Sequence, residues 1–269
     1  MGAQAYLDYD YQDQATNWSG GSEAPGSDNP DKNIRTSFLT FGYQQMYTPS
    51  WGLRVELPYE ARHFETTGGA SGSDLVTINF SGIGDVRVEG MYAGFSPDMS
   101  RGLMFGLKLP TGSFTAEDAW DDVDRDSQIG TGSTDLLLGG FDRFGLGDSA
   151  WQGLAQGMLD LPVLSQSQYR PGAELDVSLG AYYTGLRFGA LTVAPIGQLK
   201  VSLRTRDTGA NSADPVASGF ARLFAAPGLE LDLHPFRVYA DLELPLYMRV
   251  RGDQLVARNL FRMVVSCDF

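Results

Sequence analysis

Between Phe236 and Val250 the charged and phenolic side chains Arg237, Tyr239, Asp241, Glu243, Tyr247 and Arg249 share one parity, while Phe236, Val238, Ala240, Leu242, Leu244, Leu246, Met248 and Val250 share the other. The same separation recurs along the chain. It sets Arg54, Glu56, Glu60 and Arg62, then Asp85, Arg87 and Glu89, then Lys108, Asp160, Glu174, Asp176, Lys200 and Arg204, and finally Glu230, Asp232 and Arg262 on the polar side of alternating runs. Guanidinium, ammonium and carboxylate groups interleaved on one face can line an aqueous path for solutes. They can also pair among themselves and merely fill space, since buried charges need partners. Both uses predict the same residues, with Tyr239 among them.

Other chemistry is thinly represented. Asp122, Asp124 and Asp126, with Ile129 further on, follow the spacing of a calcium loop, but Ser127 stands at its glycine position and Ser133 at its closing glutamate, so the bidentate ligand is missing. The pattern is a weak metal candidate, and the bland alternative is a solvated acidic loop. An enzyme would need a nucleophile beside a base. The only histidines are His63 and His234, and no serine is compellingly placed beside His63. No cofactor motif appears. The formal net charge of −13 opposes nucleic-acid binding, which needs a basic face against phosphates. Cys267, the single cysteine, lies on an apolar parity and reads as a small hydrophobe.

The elements that must hold the charged face are strands, because a period of two puts alternate side chains on opposite faces. No apolar run approaches the roughly eighteen residues a membrane helix requires. Alternating runs are expected at 3–12, 34–47, 53–64, a strand ending at 86–92, 103–109, 136–144, 151–161, 175–183, 191–205, 220–233, 236–250 and 261–269. This predicts an all-β fold of about twelve strands: one transmembrane antiparallel β-barrel spanning 1–269, its apolar face toward outer-membrane lipid and its charged face toward the lumen. Long Gly/Ser/Asp-rich connections are read as alternating with tight turns without exception, which predicts long extracellular loops, short periplasmic turns and periplasmic termini, with Phe269 at the periplasmic rim. Ala3-Gln4-Ala5 would suit the end of a signal segment, and Met1-Gly2 reads as the start of a mature or nearly mature chain.

Glu56-Leu57-Pro58, Lys108-Leu109-Pro110, Asp160-Leu161-Pro162 and Glu243-Leu244-Pro245 repeat one pattern near strand ends. Proline removes a ladder donor, so these positions are expected either in a ring of bends near the outer rim or as independent strand terminators. Twelve tilted strands about 4.8 Å apart make a cylinder roughly 24 Å across, and side chains leave on the order of 10 Å of lumen, enough for a small solute.

The most specific words are Gly82-Ile83-Gly84-Asp85-Val86, Leu107-Lys108-Leu109-Pro110-Thr111-Gly112 and Gly130-Thr131-Gly132-Ser133-Thr134-Asp135, followed by Gly139. In that order they resemble the outer-membrane protein family labelled "MetA-pathway of phenol degradation". The resemblance implies a β-barrel and uptake of small compounds, aromatic ones among them; no particular substrate carries over. The sequence thus predicts a passive outer-membrane channel for small solutes, against the alternative of a structural or partner-holding barrel with a plugged lumen. Oligomeric state and protein partners are left open.

Overall fold

The computed structural model describes residues 2–68, 72–117, 123–147, 149–210 and 217–269. Its strands are β1 (Ala3–Ser19), β2 (Ser22–Glu23), β3 (Asp31–Met46), β4 (Trp51–Gly68), β5 (Asp74–Ile83), β6 (Val86–Tyr92), β7 (Arg101–Leu109) and β8 (Ser133–Gly145), then β9 (Trp151–Ser165), β10 (Glu174–Tyr183), β11 (Leu186–Phe188), β12 (Leu191–Arg204), β13 (Phe220–Leu233), β14 (Phe236–Val250) and β15 (Asp253–Asp268). All pairings are antiparallel. β5 and β6 form one interrupted stave against β4, and β2 and β11 are hairpin tips, which leaves a twelve-strand barrel. β1 pairs with β15 from Gln4↔Asp268 to Ser19↔Asp253, and β10 pairs with β12, so the sheet closes on itself. Closure removes the edges that an open sheet would expose.

Parity decides which face each residue takes. Leu7, Leu39, Phe41, Leu57, Leu103, Phe105, Leu107, Leu179, Leu199, Leu229 and Leu242 are exposed on the outer wall, an apolar band that suits lipid. Aromatic rings gather at the end that carries the termini: Trp51 packs on Tyr92 with centroids 4.8 Å apart, Tyr92 on Phe95 at 5.0 Å, and Trp151 on Tyr183 at 5.2 Å. Phe269 is exposed there and exchanges backbone hydrogen bonds with Ala3, at 2.8 and 2.9 Å. Such a girdle fits a membrane–water boundary.

The connections sort by length less cleanly than expected. One end carries the turns at 47–50, 93–100, 146–150 and 234–235; the other carries the segments 110–132, 166–173 and 205–219. That second end also holds the tight turn at Arg251–Gly252, where Gly252 takes φ +68°, so the alternation has an exception.

The prolines sit where ladders break. Pro162 lies beside the register shift between Thr134 and Asp135, and Pro245 beside the shift between Leu223 and Phe224. The Pro58 carbonyl accepts the Gly84 amide at the gap between β5 and β6, and Pro110 follows the end of β7. Each missing donor coincides with an irregularity, as a ring without an N–H requires.

One shift overturns an expectation. Opposite Leu223 and Phe224 the β14 ladder passes from Tyr247 to Pro245, so the extra residue inverts parity beyond it. Met248 and Val250 turn inward and pack with Val256, Trp18 and Phe220, while Arg249, expected to face the lumen, is exposed on the outer wall beside Tyr247. The β14–β15 ladder stops just before this bulge, at Glu243↔Leu260.

Candidate functional site

The inner wall carries layered ion pairs. At the turn end, Arg237 bridges Asp232 at 3.3 Å and Asp268 at 2.6 Å, and Gln4 donates to Asp268 at 2.8 Å. In the next layers Arg262 pairs with Asp8 and lies 3.8 Å from Asp10. Arg54 donates through Nε to Glu89 at 2.5 Å and lies 3.8 Å from Glu56, which accepts the Tyr6 hydroxyl at 2.5 Å. On the facing wall Lys200 sits 2.6 Å from Asp241 and 2.7 Å from Glu243, and Tyr239 donates to Asp241. Lys108 pairs with Asp135 and stands 3.8 Å from Asp160, which Arg87 approaches at 3.5 Å.

Strand register assembles these groups. Arg54, Glu56, Glu60 and Arg62 alternate along β4, and the ladder to β6 sets Arg54 opposite Glu89 and Glu56 opposite Arg87. Apart from Arg249, the residues expected on the inner wall are brought to it or to its rim. Several inner-wall groups were missing from that expectation. Asp8 and Asp10 lie on the polar parity of β1, a signal available in the sequence. Asp135 was hidden by the register shift beside it, and Arg222 by its apolar neighbours of the same parity, Phe220 and Phe224.

At the other end, the described parts of the long connection after β7, 110–117 and 123–132, fold inward. Asp85, counted from sequence as a lumen charge, instead holds this segment: its carboxylate accepts the Gly112 amide at 2.9 Å, the Thr131 amide at 2.9 Å and the Thr131 hydroxyl at 2.6 Å. Thr111 accepts the Val86 amide at 2.9 Å and donates to the Gly84 carbonyl at 2.8 Å. Gly112 and Gly130 touch so closely that a Cβ on Gly130 would lie 2.1 Å from the Gly112 carbonyl oxygen. Arg62, paired with Glu60 at 3.2 Å, donates to the carbonyls of Ser127 and Gln128, the latter at 3.0 Å. Gln128 in turn binds the backbone of Ala116 and Val123.

Beside this segment Asp207 accepts from Arg204 at 2.9 Å, from the Tyr169 hydroxyl at 2.8 Å and from the Gly172 amide at 2.7 Å. Burial, and next the Asp207 charge, push the Tyr169 phenol above its ordinary range, so it stays a donor.

Of the calcium-like triad, Asp122 lies outside the described residues. Asp124 leads into the short helical turn Arg125–Ser127, whose Arg125 covers the Phe114 ring at 4.0 Å. Among the described residues no group of three His, Cys, Asp or Glu side chains is arranged to hold a metal. Both ring nitrogens of His63 are engaged, Nδ1 with Asn79 at 2.7 Å and Nε2 with Glu65 at 3.0 Å, so neither bonds a hydroxyl nucleophile.

Beneath the inward segment lies a cavity of 660 Å³, lined by carboxylates and cations and by the apolar side chains Phe38, Met104, Met158 and Phe224. A smaller chamber of 330 Å³ lies toward the loop end, bounded by Arg62, Asp126, Arg204 and Asp207. Arg222 lines both.

No family model matches the sequence, and no curated protein matches it. The resemblance to the phenol-degradation family therefore rests on its motifs alone. Among solved structures the chain is similar to the COG4313 outer membrane channel from Pseudomonas putida F1, at 13% identity and TM-score 0.69, covering 100% of this chain and 95% of that one. It is also similar to the β domain of the Bordetella autotransporter BrkA, at 12% identity and TM-score 0.59, covering 100% of this chain and 99% of that one. At such identities the likeness is one of fold, and that fold is a bacterial outer-membrane β-barrel.

Proposed function

We propose that the chain forms one barrel domain over 1–269 that works as a passive outer-membrane channel for small solutes. The observation that carries this reading is the 660 Å³ cavity inside a closed barrel, lined by charges of both signs. A barrel needs no charged interior for stability, because apolar filling of similar shape is often no worse than buried ion pairs. A charged wall around open space is better suited to water and polar solutes. The solute pathway would run past Arg54, Glu56, Arg87, Lys108, Lys200, Glu243 and Arg262. By the usual arrangement of such barrels, the turn end with both termini would face the periplasm and the segment 110–132 the exterior.

A second reading has its own support. The contacts of Asp85 with Gly112 and Thr131 and of Arg62 with Gln128 hold 110–117 and 123–132 against the inner wall, as a plug in a structural or partner-holding barrel would be held. Planar-bilayer recording of the purified protein separates the two. Stable unitary conductance with uptake of small solutes into liposomes is the expected result, and silence in both favours the plug.

A further inference from the structure

The cations around the central cavity are matched with one exception. Arg54, Arg87, Lys108, Lys200 and Arg262 each have an ion-pair partner, whereas Arg222 has none among the described residues. Its guanidinium lies over the Phe220 ring, 3.7 Å from the centroid, and its Nε is buried without a hydrogen-bond partner. Stacking leaves the edge of a guanidinium, with its forked donors, free to meet a carboxylate.

Two acids of the same cavity are likewise without an ion pair among the described residues. Glu174 accepts only the Ser202 hydroxyl, at 3.2 Å, and Asp176 lies one pleat further along β10. The register places Asp176, Ser202 and Arg222 in one row across three strands. The ends of that row are therefore about 9.5 Å apart at Cα, two strand spacings. The neighbouring charges are already committed: Arg204 to Asp207, and Lys200 to Asp241 and Glu243. What remains is one cation and two carboxylates on a single stretch of wall, close but unpaired, with Phe224, Met158 and Phe38 lining the same space. Glu174 and Arg222 are half-buried and Asp176 is exposed to the cavity; unpaired charges are costly in proportion to their cover, and a guest carrying both signs would satisfy both sides. A lone anion would meet Glu174 and Asp176, and a lone cation would meet Arg222.

We infer that this wall is a recognition site for small zwitterionic solutes, with the carboxylate at Arg222, the ammonium at Glu174 and Asp176, and an apolar remainder against Phe224 and Met158. The channel reading supplies the site's purpose, whereas binding itself can be measured without transport.

The test is equilibrium titration of the detergent-solubilised protein with leucine, 4-methylpentanoate and 3-methylbutylamine, which share the 3-methylbutyl chain and differ in the charged groups it carries. Leucine should bind about tenfold more tightly than either single-charge analogue, the scale of one charge-assisted hydrogen bond. R222Q should bring leucine down to the level of the amine, and E174Q/D176N should bring it down to the level of the carboxylate. Gel mobility before and after boiling shows that each variant remains a folded barrel, and R222K, which keeps the charge, should retain the preference for leucine. Equal binding of the three compounds overturns the inference, as does leucine affinity unmoved in both variants. Liposome flux is measured separately: absence of flux with intact, Arg222-dependent leucine binding removes the channel reading and leaves the site. Flux without such binding does the reverse.

Discussion

Asp85 and Thr131 are 46 residues apart in sequence, yet the Asp85 carboxylate accepts both the amide and the hydroxyl of Thr131, at 2.9 and 2.6 Å. The same carboxylate takes the Gly112 amide. Three Gly-rich words that are separate in the sequence thus meet around one side chain, and together they hold 110–117 and 123–132 in the lumen. Charge-assisted bonds from backbone donors are among the stronger polar contacts, because the carboxylate is fully used.

Removing that carboxylate should free the segment. Asp85→Ala deletes three acceptor contacts and is expected to weaken inward docking by about 2–5 kcal/mol. In planar bilayers the variant should show larger or more frequent openings than the parent chain, and protease should cut within 110–132 sooner. Conductance and cleavage identical to the parent would mean that Asp85 does not hold the segment.

The Gly112–Gly130 contact offers an independent handle that leaves every charge in place. Gly130→Ala would put a methyl group 2.1 Å from the Gly112 carbonyl oxygen, a separation that forces the two backbones apart. The variant is expected to resemble Asp85→Ala in protease sensitivity while keeping its boiling-dependent gel shift, since the ladders are untouched. Gly82→Ala, where a Cβ meets open space, is the control and should behave as the parent.

Cysteine labelling tests the inverted parity of β14. Cysteines at Arg237 and Glu243 should react with a water-soluble maleimide, and cysteines at Leu242 and Leu244 only with a lipid-dissolved one. Beyond the bulge the rule reverses, so a cysteine at Arg249 should label from outside the barrel while one at Met248 stays protected. Labelling of Arg249→Cys from the lumen would restore the unbroken alternation.

That reversal marks where the sequence stops being legible. Alternation identified the staves and nearly all of the inner wall, because lipid outside and charge inside impose a period of two on every strand. A bulge adds one residue without a compositional mark. Met248 and Val250 read as lipid-facing, and Arg249 as lumenal, until the pairing with Leu223 and Phe224 is known. Pro245 was the only local hint, and its meaning needed the partner strand. The inward fold of 110–117 and 123–132 is equally hidden, since Asp85 reads as one more alternating charge. What distinguishes it is the company of Gly112 and Thr131, and sequence distance conceals that.

Lys200 and Asp241 allow the energetic role of the wall to be separated from any role in passage. Asp241 is 3% exposed, with Lys200 at 2.6 Å and the Tyr239 hydroxyl as its other donor, so it depends on the lysine for charge compensation. Lys200→Met is expected to destabilise the barrel by about 2–4 kcal/mol, toward the lower end of values for breaking a buried pair because Lys200 itself is only partly covered. Denaturant unfolding in detergent, followed by tryptophan fluorescence, should show an earlier midpoint with an unchanged slope. Lys200→Met combined with Asp241→Asn removes both charges of the buried pair and should recover part of the loss, because of the two carboxylates that Lys200 compensates only the half-buried Glu243 then lacks its partner. If the double variant is as unstable as the single one, the lysine contributes through packing of its aliphatic stem, and the ion pairs of the lumen would then be less important to stability than their geometry suggests.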